Sequence, residues 1–212
     1  FVEAWTVVPF GRFILNGLFV AILGAALSVV VAVLSAYAFS RLRFKYRDKL
    51  FLLFVLTLVL PQEVLVVPLF IMINSWGWND SFAALIIPFA FTAFGTFLMR
   101  QFFLTIPMEY EEAALIDGAS RLRTLWSVLL PQLVAPLSVL AVFSFIGYWN
   151  SYLWPLMVIQ SERLRPASVG MQYFFQLKPV WGEIMAYGML ITLPVLIIFF
   201  IFQRSFVTSL AA

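Results

Sequence analysis

The chain has 212 residues, of which 64% are hydrophobic and only 11% charged, and its formal net charge is +3. A soluble domain of this length needs far more polar surface, so the composition predicts an integral membrane protein. The sequence has no cysteine and no histidine. Disulfides, thiolate catalysis, the commonest zinc and haem ligand sets and histidine-based catalytic triads are therefore excluded.

The first predicted span covers residues 13–39, long enough to cross a hydrocarbon core of about 30 Å. Small residues recur four apart along it in two rows, Gly17, Ala21 and Ala25 in one and Gly24, Ser28, Ala32 and Ala36 in the other. Such rows let helix backbones approach closely in lipid, so we predict that this helix packs inside a bundle. The alternative is an accidental richness in alanine.

The next link, RLRFKYRDK at 41–49, carries five basic residues and one acid. A short loop this basic is expected on the cytoplasmic side. That assignment places 74–81, 160–182 and the start of the chain outside, and 105–131 and the C-terminus inside. Because the basic residues are bunched beside apolar spans, they indicate membrane orientation and not nucleic-acid binding.

The second span starts near Leu50 and is interrupted at LPQEVLVVP, which contains Pro61, Glu63 and Pro68. Either one kinked helix runs to Ile73, or a helix from about residue 44 ends near Glu63 and a short interfacial piece follows. We favour two pieces, because residues 64–73 cannot span a bilayer alone. Glu63 is then a helix end exposed to water, and the alternative is a gate or pathway carboxylate.

Three further spans are predicted at 82–104, 132–159 and 184–202. The sequence therefore predicts an all-α fold, a polytopic bundle of transmembrane helices that forms a single domain over residues 1–212. Five spans that begin outside without a signal sequence imply a missing span before Phe1, so six are expected in the intact protein.

The link at 105–131 has the local features of two short helices joined by a glycine. Thr105 is expected to cap the first helix, and Gly118 to end it in left-handed backbone. Ser120 is expected to cap the second helix, which passes into the membrane span at Pro131.

Ala113 and Ala114 lie just before this turn and are flanked by acids such as Glu112. A small, flat surface bordered by acids suits a helix that seats in a groove on a basic partner. The alternative is an ordinary solvated loop.

Glu112-Ala113-Ala114, three residues, Gly118, nine residues and then Val128-x-Leu130-Pro131 resembles the Glu-Ala-Ala loop of ABC importer permeases, with valine where isoleucine is usual. The stretches at 35–44, 60–70, 106–120, 148–156 and 202–210 are similar to the carbohydrate-importer permeases, which serve sugars, sugar oligomers and glycerol phosphates.

In this family the loop is a coupling helix that docks into a cleft on a cytoplasmic ATPase subunit. The resemblance therefore implies that 105–131 is a cytoplasmic coupling loop. The residues expected to couple the chain to the ATPase are Glu111, Glu112, Ala113, Ala114, Asp117, Gly118, Ala119, Leu130 and Pro131.

The resemblance also implies the partners: a second permease subunit, a cytoplasmic dimer of ATP-binding subunits, an extracytoplasmic solute-binding protein and the lipid bilayer of a bacterial or archaeal cytoplasmic membrane. No lysine follows a Gly-x-x-x-x-Gly spacing, so the chain lacks a P-loop. We expect a transport subunit and not an enzyme, with no cofactor in this chain and ATP-Mg in the partner subunit.

The stretch YWNSYLWPL contains candidates for the solute pathway. Asn150 is predicted to lie mid-span, where a polar residue is costly unless it faces the bundle or an aqueous path. Aromatic rings with a few hydrogen-bonding groups suit a sugar, and the alternative is that Asn150 only bonds a neighbouring helix. The pathway candidates are Tyr148, Trp149, Asn150, Trp154 and Glu63.

Two other classes of function compete with an importer permease. An ion-driven secondary transporter needs charged coupling groups inside the membrane, and the predicted span centres are nearly free of them. A non-transport membrane scaffold would leave the spacing from Glu112 to Pro131 unexplained.

Overall fold

The computed structural model describes residues 9–176 and 181–210, and the side chains of 175–176 and 202–210 are not described. The prediction that the chain starts outside falls on residues 1–8, which lie outside the described residues. The same holds for 177–180 of the predicted outer link and for the last two residues.

Helix α1, Phe10–Arg41, is the central element of the bundle and is about 48 Å long at 1.5 Å per residue. Both predicted rows of small residues are buried along it, so the prediction of close packing is confirmed. The approach is tight, because a β-carbon added to Gly24 would lie 2.6 Å from the ring of Tyr148.

The second predicted span is two helices set at 104° to each other. Helix α2 covers Arg47–Leu56 and continues through a 3-10 turn at Thr57–Val59, and α3 covers Gln62–Ser75. The two-piece interpretation is confirmed and the single kinked helix is wrong. The break falls earlier than predicted, because Pro61 forces extended backbone on Leu60. Glu63 therefore lies in the first turn of α3, not at the end of α2.

The third predicted span is also broken. Helix α4, Phe82–Ile86, is followed by a 3-10 turn at Ile87–Phe89, and α5 covers Ala93–Thr105. The two halves are bent by 46°. The hydroxyl of Thr92 accepts a hydrogen bond from the amide of Gly95, which caps the start of α5.

Helix α6, Glu109–Ile116, precedes α7, which runs over Arg121–Trp149. Helix α7 has a wide π turn at Leu125–Leu129 and a tight 3-10 turn at Leu130–Leu133 before it becomes regular. Pro131 therefore marks a change in helix winding inside one long helix, not the passage from one helix to another.

The fourth predicted span extends too far. Helix α7 ends at Trp149, and Leu153–Val158 forms a separate short helix, α8. Pro155 explains the break, because proline is tolerated in the first turn of a helix but disrupts the turn before it. Asn150 is consequently the cap residue that follows the last turn of α7, and its predicted position in mid-span is wrong.

The remaining helices are α9 at Ala167–Gly170, α10 at Tyr173–Gln176 and α11 at Trp181–Leu210. Three helical stretches in the described chain, within α1, α7 and α11, are each long and apolar enough to cross a membrane. Counting each bent pair as one span gives five, the predicted number. The sixth span expected in the intact protein stays a prediction.

Polar contacts show which links share an end of the bundle. Near the start of α1, the amide of Asn16 donates to the carbonyls of Arg163 and Arg165. Asp80 accepts hydrogen bonds from Ser161 at this same end. Helix α6 contacts α1 at its opposite end, through Arg41. The pairs of links that the sequence assigns to one side of the membrane therefore lie at one end of the molecule.

Candidate coupling site

Helix α6 begins at Glu109, later than the sequence predicts. Thr105 is the last residue of α5, and its hydroxyl donates to the carbonyl of Phe102, so the predicted cap is wrong. The physical reason is Pro107, which disfavours helical backbone at Ile106 and so separates the two helices. The first turn of α6 contains three acids, which favour the positive end of its dipole.

The end of α6 is a glycine-closed turn. Gly118 has φ +82°, the left-handed backbone that the sequence predicts. The amide of Ala119 donates to the carbonyl of Ala114 at 2.9 Å, and that of Gly118 donates to Leu115 at 3.1 Å. Ser120 then accepts a hydrogen bond from the amide of Arg123, which confirms it as the cap of the next helix.

Helix α6 has two unlike faces. Glu111 points into the bundle and is 3% exposed, whereas Glu112 and Ala113 are exposed. The outer face also presents large apolar side chains, with Ile116 86% exposed. The other large apolar side chains exposed in this link are those of Met108, Tyr110, Leu115, Leu122 and Trp126. Several exposed apolar side chains in one charged link are typical of a protein interaction site.

Glu111 is bound by groups from two other helices. Tyr37 of α1 donates its hydroxyl to Glu111 Oε1 at 2.9 Å. Arg41 Nε lies 3.9 Å from Glu111 Oε2, and Arg121 Nη1 lies 4.0 Å from Oε1. The carboxylate thus pairs with protein cations. Over residues 9–176 and 181–210, no group of three or more acidic, histidine or cysteine side chains is placed to hold a metal ion.

Sequence reasoning missed Tyr37 and Arg41. Arg41 was grouped with the basic loop at 41–49, but it is 6% exposed and belongs to the core of the bundle. The spacing could have indicated this, because Val33, Tyr37 and Arg41 are four residues apart and so share one face of α1. In the structure all three side chains are buried.

The predicted coupling residues occupy two places. Glu112, Ala113, Asp117 and Gly118 are exposed around α6 and its turn, and Ala114 and Ala119 are partly exposed there. Leu130 and Pro131 lie in α7. Leu130 is buried in a cluster with Ile106 and Leu129, while Pro131 is exposed. Leu130 therefore belongs to the core of the bundle and not to the outer surface of α6.

The three aromatic pathway candidates use their polar groups to hold the bundle together. Tyr148 donates to the carbonyl of Ile86 at 2.8 Å. Trp149 donates to Ile191 at 3.0 Å, and Trp154 donates to Ala84 at 2.8 Å. The bonds of Tyr148 and Trp154 join α7 and α8 to α4, and the bond of Trp149 joins α7 to α11.

Asn150 is exposed and lines a cavity of about 630 Å³ together with Trp149. The cavity lies between the end of α7, the short helix α9 and α11. Its other polar lining residues are Tyr152, Ser168, Gln172 and Thr192. Tyr148, Trp154 and Glu63 do not line this cavity, and Glu63 is exposed in the first turn of α3.

Comparisons of the sequence and of the fold with known proteins both point to one family. The chain is 37% identical over 205 residues to the sn-glycerol-3-phosphate transport system permease protein UgpE of Yersinia pestis bv. Antiqua, covering 95% of this chain and 73% of that protein. The corresponding protein of Pectobacterium atrosepticum is 38% identical over the same shares.

A solved structure with the same fold is that of a bacterial ABC transporter involved in the import of the acidic polysaccharide alginate. One of its chains matches with a TM-score of 0.82 and 26% identity, over 92% of this chain and 74% of that chain. Residues 26–211 match the family described as binding-protein-dependent transport system inner membrane component. The chain therefore belongs to the family of inner membrane components of binding-protein-dependent transport systems.

Proposed function

We propose that the chain is the permease subunit of an ATP-driven importer for a sugar or a glycerol phosphate, and that α6 docks on the ATP-binding subunit. Relatives named for sn-glycerol-3-phosphate transport and a structural neighbour involved in polysaccharide import support this solute class. Membership of a transport family sets aside the ion-driven transporter and the membrane scaffold.

The outer face of α6 carries the proposal. Ile116 is 86% exposed at the tip of a charged link, where contact with water is unfavourable for an apolar side chain. An amphipathic helix that seats its apolar face in a groove buries such a residue. The inner face is already occupied by the contacts of Glu111, so the helix offers its outer face to a partner without losing its own anchor.

The partners that the family implies are proposed to occupy the two ends of the bundle. The ATP-binding subunits, which would hold ATP and Mg²⁺, lie at the α6 end on the cytoplasmic side of a bacterial or archaeal membrane. The solute-binding protein approaches the opposite end, and a second permease completes the pathway. Helix α11 starts near Ala167, at the end opposite α6, which supports a cytoplasmic C-terminus.

The solute pathway is assigned to the cavity beside Asn150 and Trp149. Its volume of about 630 Å³ suits a small solute, and its mixture of two aromatic rings, those of Trp149 and Tyr152, with amide and hydroxyl groups suits a sugar or polyol. Tyr148 and Trp154 bond to Ile86 and Ala84 away from this cavity and stay pathway candidates. Glu63, apart from this cavity, stays a candidate pathway group.

The docking of α6 is tested by two substitutions on its outer face, Ile116→Asp and Glu112→Lys. An aspartate at position 116 would bury a charge in the part of the interface that seats the apolar face of α6, so we expect about ten-fold less co-purified ATP-binding subunit and a matching loss of ATP-dependent uptake. For Glu112→Lys we expect a loss in the same direction, because a lysine repels a basic groove.

The matched control is Glu162→Lys, which reverses an exposed charge at the opposite end of the bundle. It should retain the ATP-binding subunit in full. Wild-type recovery of that subunit with both α6 variants would refute the docking assignment.

A further inference from the structure

Arg41, the last residue of α1, is a buried arginine at the junction of three helices. Its Nη2 donates to the carbonyl oxygens of Phe103 at 2.5 Å and Ile106 at 2.6 Å, where α5 ends. Carbonyls at a helix end lack the usual amide partner four residues on, although that of Phe103 also accepts from the amide of Ile106 at 3.3 Å. A cation at this end also favours the helix dipole. Arg41 therefore fastens the end of α1 to the end of α5.

The same guanidinium faces Glu111 of α6. The two side chains are 2% and 4% exposed, and Arg41 Nε lies 3.9 Å from Glu111 Oε2. Tyr37, one turn before Arg41 on the same side of α1, donates to the other carboxylate oxygen of Glu111. One carboxylate thus holds α6 to α1 and, through Arg41, to α5.

The ion pair is not in its tightest arrangement. Its separation of 3.9 Å exceeds hydrogen-bond distance, and within the described part of the chain neither Arg41 Nε nor Glu111 Oε2 has a hydrogen-bond partner. Buried charges are costly unless they are paired and hydrogen-bonded. A shift of α6 by about 1 Å toward Arg41 would convert the contact into a charge-assisted hydrogen bond. The strength of the contact therefore depends steeply on the position of α6.

We propose that Tyr37, Arg41 and Glu111 form a latch that passes movement of α6 to the ends of α1 and α5. The latch rests on the proposed function, because it takes α6 as the element that the ATP-binding subunit moves. Glu111 and its neighbour Glu112 then have opposite tasks, since Glu112 faces the partner and Glu111 faces the bundle. The three latch residues are positioning residues and touch neither solute nor nucleotide.

The latch is tested in the whole importer, reconstituted in lipid vesicles with its binding protein, by measuring solute uptake per ATP hydrolysed. Tyr37→Phe removes only the hydroxyl that donates to Glu111. We expect the ratio to fall about ten-fold, as for the loss of a hydrogen bond to a charged acceptor. Co-purification of the ATP-binding subunit should be unchanged, because the outer face of α6 is untouched.

Glu111→Gln keeps the shape of the side chain but removes the charge that balances Arg41, so its ratio should fall further than that of Tyr37→Phe. The matched control is Glu162→Gln, which removes an exposed charge at the opposite end of the bundle. Its ratio should stay within about two-fold of the wild-type value.

A double-mutant cycle separates a latch from a general loss of stability. If Tyr37 and Glu111 act through one contact, the double variant has the ratio of the worse single variant, whereas independent effects multiply. If the Glu111→Gln variant does not assemble into an importer, the uptake per ATP of Tyr37→Phe alone decides whether the latch exists.

A wild-type ratio in Tyr37→Phe, multiplying effects in the cycle, or less assembled complex at an unchanged ratio would each overturn the latch. Failure of the docking proposal looks different, because Ile116→Asp would then retain the ATP-binding subunit whatever the latch variants do.

Discussion

Helix α1 and the bent pair α2–α3 are both apolar, but the bundle holds them in different ways. Helix α1 is packed along its whole length, with buried residues from Phe10 to Arg41. Helix α2 has no buried residue, and α3 has only Val66 and Ile73. The polar contacts that tie the bent pair lie near its two ends, between Asp48 and Arg100 at one end and at Asp80, in the link after α3, at the other. Rings of α2 also contact Phe39 of α1.

The contrast distinguishes α1, which packs against other helices of the same chain, from α2–α3, whose outer surface must be covered from outside the chain. Small residues along α1 let neighbouring helices approach, so its packing energy comes from within the chain. The outer surface of α2–α3 has no neighbour among the described residues, so lipid or another subunit must cover it. The following substitutions test the contrast between a helix packed along its length and one tied at its ends.

The largest effect is expected from Gly24→Val in α1. The new β-carbon would lie 2.6 Å from the ring of Tyr148, and that ring is fixed by its hydrogen bond to Ile86. Overpacking of this kind costs about 1–3 kcal/mol, which should appear as a lower thermal midpoint of the purified importer. Gly11→Val is the control in the same helix, because its β-carbon meets nothing within 4 Å. Equal losses at both positions would contradict tight packing along α1.

An intermediate effect is expected from Arg100→Leu, which cuts the tie between α5 and α2. Arg100 lies 3.6 Å from Asp48, its guanidinium is 4.1 Å from the centre of the Phe51 ring, and its Nε donates to the carbonyl of Phe39 in α1 at 3.2 Å. Losing these contacts should cost about 1–2 kcal/mol, because Asp48 is largely exposed.

Hydrogen exchange over residues 47–59 provides the measurement for Arg100→Leu. We expect faster exchange there and unchanged exchange in α1 before its last turn, where Arg100 bonds to Phe39. Arg100→Lys should be intermediate, because it keeps the charge but loses the planar group. Faster exchange throughout α1 as well would contradict a contact that mainly holds α2 in place.

The smallest effect is expected at the other end of the bent pair. Asp80 accepts hydrogen bonds from the Ser161 amide and hydroxyl and from the Gln160 amide. The backbone bond from Ser161 is the main cause that lowers the pKa of Asp80 below its ordinary value of 3.8. A carboxyl whose pKa is lowered by folding stabilises the fold above that ordinary value, and this contribution disappears as the pH falls through the lowered pKa.

Asp80→Asn tests this contribution. Asp80 has φ +58°, and asparagine tolerates left-handed backbone, so the substitution removes the charge with little strain. The thermal midpoint of the variant should lie slightly below that of the wild type at neutral pH, and the gap should close in acid. A gap that is constant down to pH values well below 3.8 would contradict the role of the charge.

Local chemistry explains which features could be predicted from sequence. The buried rows of α1, the left-handed Gly118 and the cap at Ser120 depend on neighbouring residues, and all three were predicted. The break near Pro61 was predicted as well, although its position was displaced. Pro155, which ends α7 early, was overlooked. The burial of Arg41 could not be deduced locally, because Glu111, seventy residues away, pairs with it only after the bundle has formed.

The wide turn of α7 fixes the direction in which the coupling region points. Leu125 and Leu129, at its two ends, are both fully buried beneath α6. In a helix each residue advances the azimuth by about 100°. Deleting one residue between them would therefore turn Ser120 and Gly118 by about a quarter of a revolution relative to the membrane part of α7. The number of residues in this wide turn therefore sets the direction in which α6 and its closing turn point relative to the membrane part of α7.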